Sequence, residues 1–389
     1  MQNRYTLEWK NSLSELQKDD WDRLAEPLQT PLLEWDWLNL LEQSGSVQPQ
    51  TGWLPCHLTV WKGHRLVAAA PLYVKGHSAG EFVFDHAWAN LAEQLGVSYY
   101  PKLVGMSPFS PVVGYRFLVD PEEDERRLTE RMVGAIDQFC DRHRLSGCSF
   151  LFVAPEWRRH MESFGYTAWR HQSYAWHNPD FESFEDYLAV FNTNQRRNIK
   201  RERAAIRRTG IRIQPVIGRD IPDDFFDLMY TYYSRTNDRY GPWGCKYLTP
   251  AFFQGLRSCF RHRLLLMAAF EPDDNGRPIG LSFLLRKRDH LYGRYWGSAR
   301  TIRELHFNAC YYSPIEWAIA SGIRVFEPGM GSSHKSRRGF TAFANHSLHR
   351  FYDTRMNQIL LQYIGEINRR EQEYIEALNE SMPLRQPSA

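Results

Sequence analysis

The sequence predicts an α/β (α+β) protein of two tandem domains, each a mixed sheet with flanking helices. Three observations predict it. The chain has 389 residues, and a domain takes about 100–200. A three-strand meander occurs twice, and each time a helix-then-strand pair follows it. The segment after each pair repeats as well, as Gly165-Tyr-Thr-Ala-Trp169 and Gly339-Phe-Thr-Ala-Phe343. Two halves with one order of elements imply duplication.

In the first half His57–Trp61 reads as a strand, Lys62-Gly63-His64 as a turn, Arg65–Lys75 as a longer apolar strand, and Glu81–Trp88 as a third. Glu125–His143 reads as a helix and Cys148–Val153 as the strand after it. In the second half the strands are Leu264–Phe270, Pro278–Arg288 and Leu291–Ser298, with a turn at Pro272–Gly276. Pro314–Ser321 and Arg324–Glu327 are its helix and strand. Gly and Asn/Asp at the turns, with Val, Phe, Tyr and Leu in the runs, support this reading. Thr249-Pro250 has the signature of a helix cap. A helix starting near His306 would have to kink at Pro314. The domains are taken as 1–178 and 179–389, divided near Pro179, with a basic helix at 195–209.

Composition narrows the function. Hydrophobic residues are 43% and charged residues 24%, enough apolar material for two cores. A net charge of +3 is too small for the whole protein to hold nucleic acid by its field. Six scattered cysteines lack Cys-x-x-Cys spacing and read as reduced thiols. The first twenty residues have no apolar signal core, and no run is long enough to span a membrane. The expected location is the cytoplasm, with attachment to the inner membrane face left open.

Both halves carry further distinctive motifs. In the first half they are Leu41–Ser46, Gly52–Leu58, Ala69–Tyr73, His77–Asp85, Tyr99–Leu103 and Pro108–Pro111. In the second half they include Tyr247–Thr249, Tyr292–Gly297, Leu305–Phe307, Cys310–Tyr312, Phe326–Gly329, His334-Lys335 and Arg338–Phe340. Together these motifs resemble those of the FemAB-like peptidoglycan biosynthesis/recognition proteins, a bacterial branch of the GNAT acyltransferase superfamily, from about residue 30 to 350. The chain departs from it at His86, Asn90 and Ser333, where an aromatic and two acidic residues are expected. The resemblance implies two tandem GNAT-like, Fem-type domains and transfer of an acyl or aminoacyl group to an amine. The acceptor would be an amine of a cell-envelope or peptidoglycan precursor. The donor would be a CoA thioester or aminoacyl-tRNA, and no metal is expected. It also implies a donor wedge between two splayed strands, the one ending at Gly297 and Arg324–Glu327.

Acyl transfer needs a neutral amine, a stabilised oxyanion and a route for a proton. The segment His334-Lys335-Ser-Arg337-Arg338 follows a glycine-rich turn at a strand's carboxyl end, where open sheets bind ligands. Lys335, Arg337 and His334 are therefore catalytic candidates, read as side chains of an exposed loop. In Fem enzymes a lysine precedes a Gly-Phe pair here, and Arg337 takes its place by a loose alignment. Glu327 at the strand end and His306 are the candidate proton acceptors. Arg294, Tyr295, Trp296, Tyr311, Tyr312 and Arg338 are expected to contact substrate, with Arg294 and Trp296 on one strand face and Tyr295 on the other. Lys75, His77, Tyr100 and Lys102 are the corresponding candidates in the first half, meeting the acceptor.

Residues 195–208 hold seven cations and one acid. Arg196, Arg197, Lys200 and Arg201 are expected to face phosphates of tRNA, a nucleotide-linked precursor or anionic headgroups. The pyrophosphate-binding Arg/Gln-x-x-Gly-x-Gly/Ala motif of acetyl-CoA enzymes does not occur in Gly297–Tyr312. Two other readings remain: a non-catalytic recognition module for such a precursor, and a CoA-dependent acetyltransferase acting on a small amine.

Overall fold

Pro71 divides the apolar run Arg65–Lys75 into two strands, because a residue without an N–H cannot carry a ladder through. The computed structural model describes residues 5–272, 276–331 and 333–385. These form two compact units. One is the chain up to His171 with Ala344–Gln372, and the other is Gln172–Phe343 with the residues from Glu373 on.

The first unit holds β1 (Tyr5–Lys10), β2 (Trp53–Pro55), β3 (His57–Lys62), β4 (Arg65–Ala70), β5 (Leu72–Lys75), β6 (Lys102–Gly105), β7 (Leu118–Val119) and β8 (Gly147–Phe150). One sheet runs β1-β3-β4-β7. In the other, β2, β5 and β6 pair antiparallel, and β6 pairs parallel with β8. The break at Pro71 thus shares one hairpin between two sheets. The expected strand Glu81–Trp88 does not form. Helix His86–Gln94 begins inside it, and Lys102–Gly105 is the third strand of the meander. Trp88 and Ala92, one helical turn apart, pack with Tyr99, Phe351, Met356 and Leu360. Helix Glu125–Arg142 forms as read, with Asp124 accepting from the Arg127 amide at 3.0 Å. The strand after it ends at Phe150, short of Val153.

β9 (Thr167–His177) starts in the first unit and ends in the second. The second unit adds β10 (Arg212–Ile217), β11 (Leu264–Phe270), β12 (Gly280–Lys287), β13 (His290–Ser298) and β14 (Val325–Glu327). Their order is β10-β11-β12-β13-β14-β9, antiparallel except for β13–β14. β15 (Thr341–Phe351) starts in this unit and ends in the first, pairing antiparallel with β8. The two halves of the sequence therefore share one connectivity: an antiparallel pair, a helix, then a parallel strand. The last strand of each half pairs outside that half, β9 with β14 and β15 with β8.

Thr249 caps helix Pro250–Cys259 through the Phe252 amide. The chain is helical from Leu305, and the segment Asn308–Tyr312 is a π-helix. That wider turn, rather than a kink, brings Pro314 into helix Ser313–Ala320. Of the expected turn Pro272–Gly276, residues 273–275 lie outside the described residues, as do Ser332 and 386–389. The duplication boundary at 178/179 concerns ancestry rather than compactness, and stands as a proposal.

Gly297 on β13 faces the backbone of helix Asp224–Asp238. A Cβ there would lie 2.2 Å from the Tyr232 carbonyl oxygen. Gly297→Ala is expected to cost about 1–3 kcal/mol through overpacking. A urea midpoint equal to the native one would show that helix and strand have room to part.

Candidate functional site

β13 and β14 pair in parallel only from His290/Val325 to Tyr292/Glu327. β14 then ends at Pro328-Gly329, while β13 runs on to Ser298. Opposite β12, the register of β13 slips by one residue between Tyr295 and Gly293, which leaves Arg294 in a bulge. A bulge re-aims side chains. The expected alternation therefore fails at Arg294, whose guanidinium lies 5.2 Å from the Tyr295 ring centroid. Tyr295 packs against Tyr233 and Phe253, and Trp296 faces His306 at 5.8 Å between centroids.

Beyond Gly329 the chain enters a 3-10 helix, Ser333–Arg338. This is not the exposed basic loop that its composition suggests. Lys335 is 1% exposed and Arg338 4% exposed, while Arg337 faces solvent. Three-residue periodicity turns Lys335 and Arg338 inward together. Lys335 Nζ donates to the Gly329 carbonyl at 2.5 Å and lies 5.7 Å from the Tyr174 ring centroid. Burial pushes its amine down from an ordinary 10.5 to about 7, against a weak opposing effect of Cys310.

Around Lys335 stand neutral imidazoles. His334 Nε2 lies 3.0 Å from the Tyr311 hydroxyl. Burial, then Arg338 and Lys335, hold His334 at about 4. Burial, then His334, Arg338 and Lys335, hold His306 at about 4 as well. Burial pushes the Cys310 thiol up to about 12, so it is no thiolate near neutrality. Glu327 is half-buried at the end of β14, where its charge helps to raise the Tyr292 hydroxyl above its ordinary value, after burial.

Arg338 is held through both terminal nitrogens and its guanidinium face. It donates to the His334 carbonyl and to Glu202, each at 2.9 Å, and stacks 3.4 Å from the Phe307 centroid. Tyr312 also donates to Glu202. Tyr187 and Gln195 bond the carbonyls of Arg338 and Arg337 at 2.9 and 2.6 Å. Glu202, Tyr187 and Gln195 were not among the predicted residues. The one signal for Glu202 was its being the lone acid among seven cations.

The basic helix spans Thr193–Arg208, with Asn192 as its cap, and Gly210 in a left-handed conformation (φ +75°) follows its end. Arg196 is drawn inward: its guanidinium bonds the carbonyls of Leu188, Ala189 and Phe191. Arg203 pairs with Glu316 at 2.5 Å. Arg197, Lys200 and Arg201 are exposed.

The first-unit candidates form their own cluster. Lys102 is buried and bonds Glu81 and Asp85. Lys75 is buried against Trp53, Tyr100 bonds Ser78 at 2.8 Å, and His77 is exposed. Among the described residues no helix is long and apolar enough to cross a membrane.

No curated protein matches the chain. The solved structure of FemX has a TM-score of 0.53 at 10% identity, covering 91% of this chain and 99% of that one. L-PGS from Bacillus licheniformis has a TM-score of 0.50 at 11% identity, covering 88% and 98%. The C-terminal domain of a putative lysylphosphatidylglycerol synthetase from Agrobacterium fabrum has a TM-score of 0.50 at 11% identity, covering 90% and 98%. At such identities the likeness is one of fold alone. The family described as FemAB-like, peptidoglycan biosynthesis/recognition, matches residues 12–386. With a match over nearly its whole length, the chain belongs to the FemAB-like family.

Proposed function

We propose that this chain transfers an acyl or aminoacyl group to an amine of a cell-envelope or peptidoglycan precursor. The observation that carries this reading is Lys335, a buried amine at the carboxyl end of the β13–β14 pair, held at about 7. Near neutrality about half of such amines are charged. The ammonium form can donate to a carbonyl oxygen as it gains charge. The free-amine form can take the proton that the attacking amine must lose.

The other groups fit supporting roles. His306 and His334, both at about 4, stay neutral at pH 7 and offer hydrogen bonds without charge. Glu327 is a second proton acceptor, and Trp296 and Tyr311 give the wedge apolar walls. Arg338, tied to Glu202 and Phe307, holds the Lys335 helix in place, while exposed Arg337 can reach a donor phosphate.

The exposed cations Arg197, Lys200 and Arg201 favour a polyanionic donor, aminoacyl-tRNA, over a CoA thioester. A donor that binds only the native state raises the melting temperature. Aminoacyl-tRNA is expected to raise it, and acetyl-CoA is not. Lys200→Glu with Arg201→Glu should weaken tRNA binding at low salt, with a difference that shrinks at high salt. A rise with acetyl-CoA alone would favour the small-amine acetyltransferase. No rise with either donor, and no turnover, would leave a recognition module.

A further inference from the structure

A second cluster, in the first unit, has its own hydrogen-bond pattern. Lys75 and Lys102 are direct cross-strand partners on β5 and β6, so both side chains leave the sheet on one face. Trp53 on β2 pairs with Lys75, and Lys75 Nζ lies 3.5 Å from its ring centroid. Residues 76–101 join β5 to β6, whereas Arg288 and Asp289 alone join β12 to β13 in the other half. This long connection lays Ser78, Glu81 and Asp85 over the two lysines.

Lys102 is saturated. Its three protons go to Ser78 Oγ at 2.8 Å, Glu81 Oε2 at 2.8 Å and Asp85 Oδ2 at 2.5 Å. Asp85 Oδ2 accepts from Ser78 and Tyr99 as well, at 2.8 and 2.9 Å. The second oxygen of each carboxylate, Glu81 Oε1 and Asp85 Oδ1, is buried with no hydrogen-bond partner among the described residues. Glu81 is 0% exposed and Asp85 1%. A buried carboxylate oxygen without a donor is costly. Two carboxylates that share one lysine each keep such an oxygen.

We propose that Glu81 Oε1 and Asp85 Oδ1 receive the primary ammonium group of a ligand, and that Lys75 gives up its proton as that group enters. With Lys75 charged, two lysines balance two carboxylates. An entering ammonium adds one positive charge, and release of the Lys75 proton to solvent restores neutrality. No covalent bond changes. Lys75 suits this role because burial, and then Lys102 against the pull of Glu81, brings it down to about 7. The groups facing it are Lys102 on β6 and Glu81 and Asp85 on the connection, with His77 close by. His349 on β15 faces Lys102 and Asp85 and is held near 3 by burial, so it stays neutral. At the outer side of the cluster Ser78 and Tyr100 are half-buried and bond each other, and His77 is exposed. The site does not depend on acyl transfer in the second unit.

The test is calorimetric titration of the full chain with n-butylammonium, without acyl donor, slightly below pH 7 and in two buffers of different ionisation enthalpy. Binding with release of a proton is expected. In Lys75→Met, binding should persist and the proton release should vanish. Glu81→Gln should weaken binding roughly tenfold or more, since one charge-assisted bond is lost. If Glu81→Gln fails to fold, the proton count on the native chain still decides. Absence of butylammonium binding, or binding without proton release, would overturn the proposal. So would equal binding of tetramethylammonium or potassium ion, which carry charge but no N–H. Binding of inorganic phosphate in competition with the amine would instead assign the lysines to an anion.

Discussion

Lys335→Met is expected to lower turnover about 100- to 1000-fold, the effect of removing one oxyanion donor. The melting temperature should hold or rise. Lys335 is 1% exposed, and among the described residues its amine makes one hydrogen bond, to the Gly329 carbonyl. Methionine fills a similar volume without the desolvation cost of an ammonium. Activity and stability should therefore move in different directions, which a purely structural lysine would not show. Arg337→Met is the control. Its side chain is exposed, so turnover should hold and the apparent KM alone should rise. Full turnover in Lys335→Met would remove the lysine from the chemistry.

The second large effect is on stability against pH. Lys335 and Lys75 are held at about 7 in the folded chain, against an ordinary 10.5. Between these values the unfolded chain binds more protons than the folded one, so stability rises with pH. Below about 7 both states are protonated, and the cost of burying each charge is felt in full. Each lysine contributes a slope of up to about 1.4 kcal/mol per pH unit. The useful window is about pH 7 to 8.5. The lowered histidines act below it, and the buried thiols, raised when folded, oppose the trend above it. Urea midpoints across this window should rise for the native chain and rise less for Lys335→Met. Parallel curves would show that the folded lysine keeps its ordinary value.

The sequence carried information of short range well. The cap at Thr249, the stop at Gly210 and the meander runs are set by neighbours a few residues away, and each could be read. Pro71 was readable too, but apolar runs on both its sides masked it. Glu81–Trp88 looked like a strand because Phe82, Val83 and Phe84 are β-formers, yet Trp88 and Ala92 follow helical spacing onto a core completed by Phe351 and Met356. The bulge at Arg294 depends on the register of β12 and leaves no mark on β13 alone. At the candidate site, the His334–Arg338 run was visible as a cluster of cations, but which of them are buried was not. That depends on a 3-10 turn and on Glu202, which is 136 residues from Arg338.

The exchanged strands have a consequence for how the chain is made. β8 lies at residues 147–150, and its partner β15 pairs through Leu348–Phe351. During synthesis one side of β8 therefore stays open until about 200 more residues have been added, some tens of seconds at roughly 5–20 residues per second. β14 meets no such delay, since β9 precedes it in the chain. The unit whose residues come first thus waits for a strand near the end of the chain, and until then its open strand edge is exposed to wrong pairing on the ribosome.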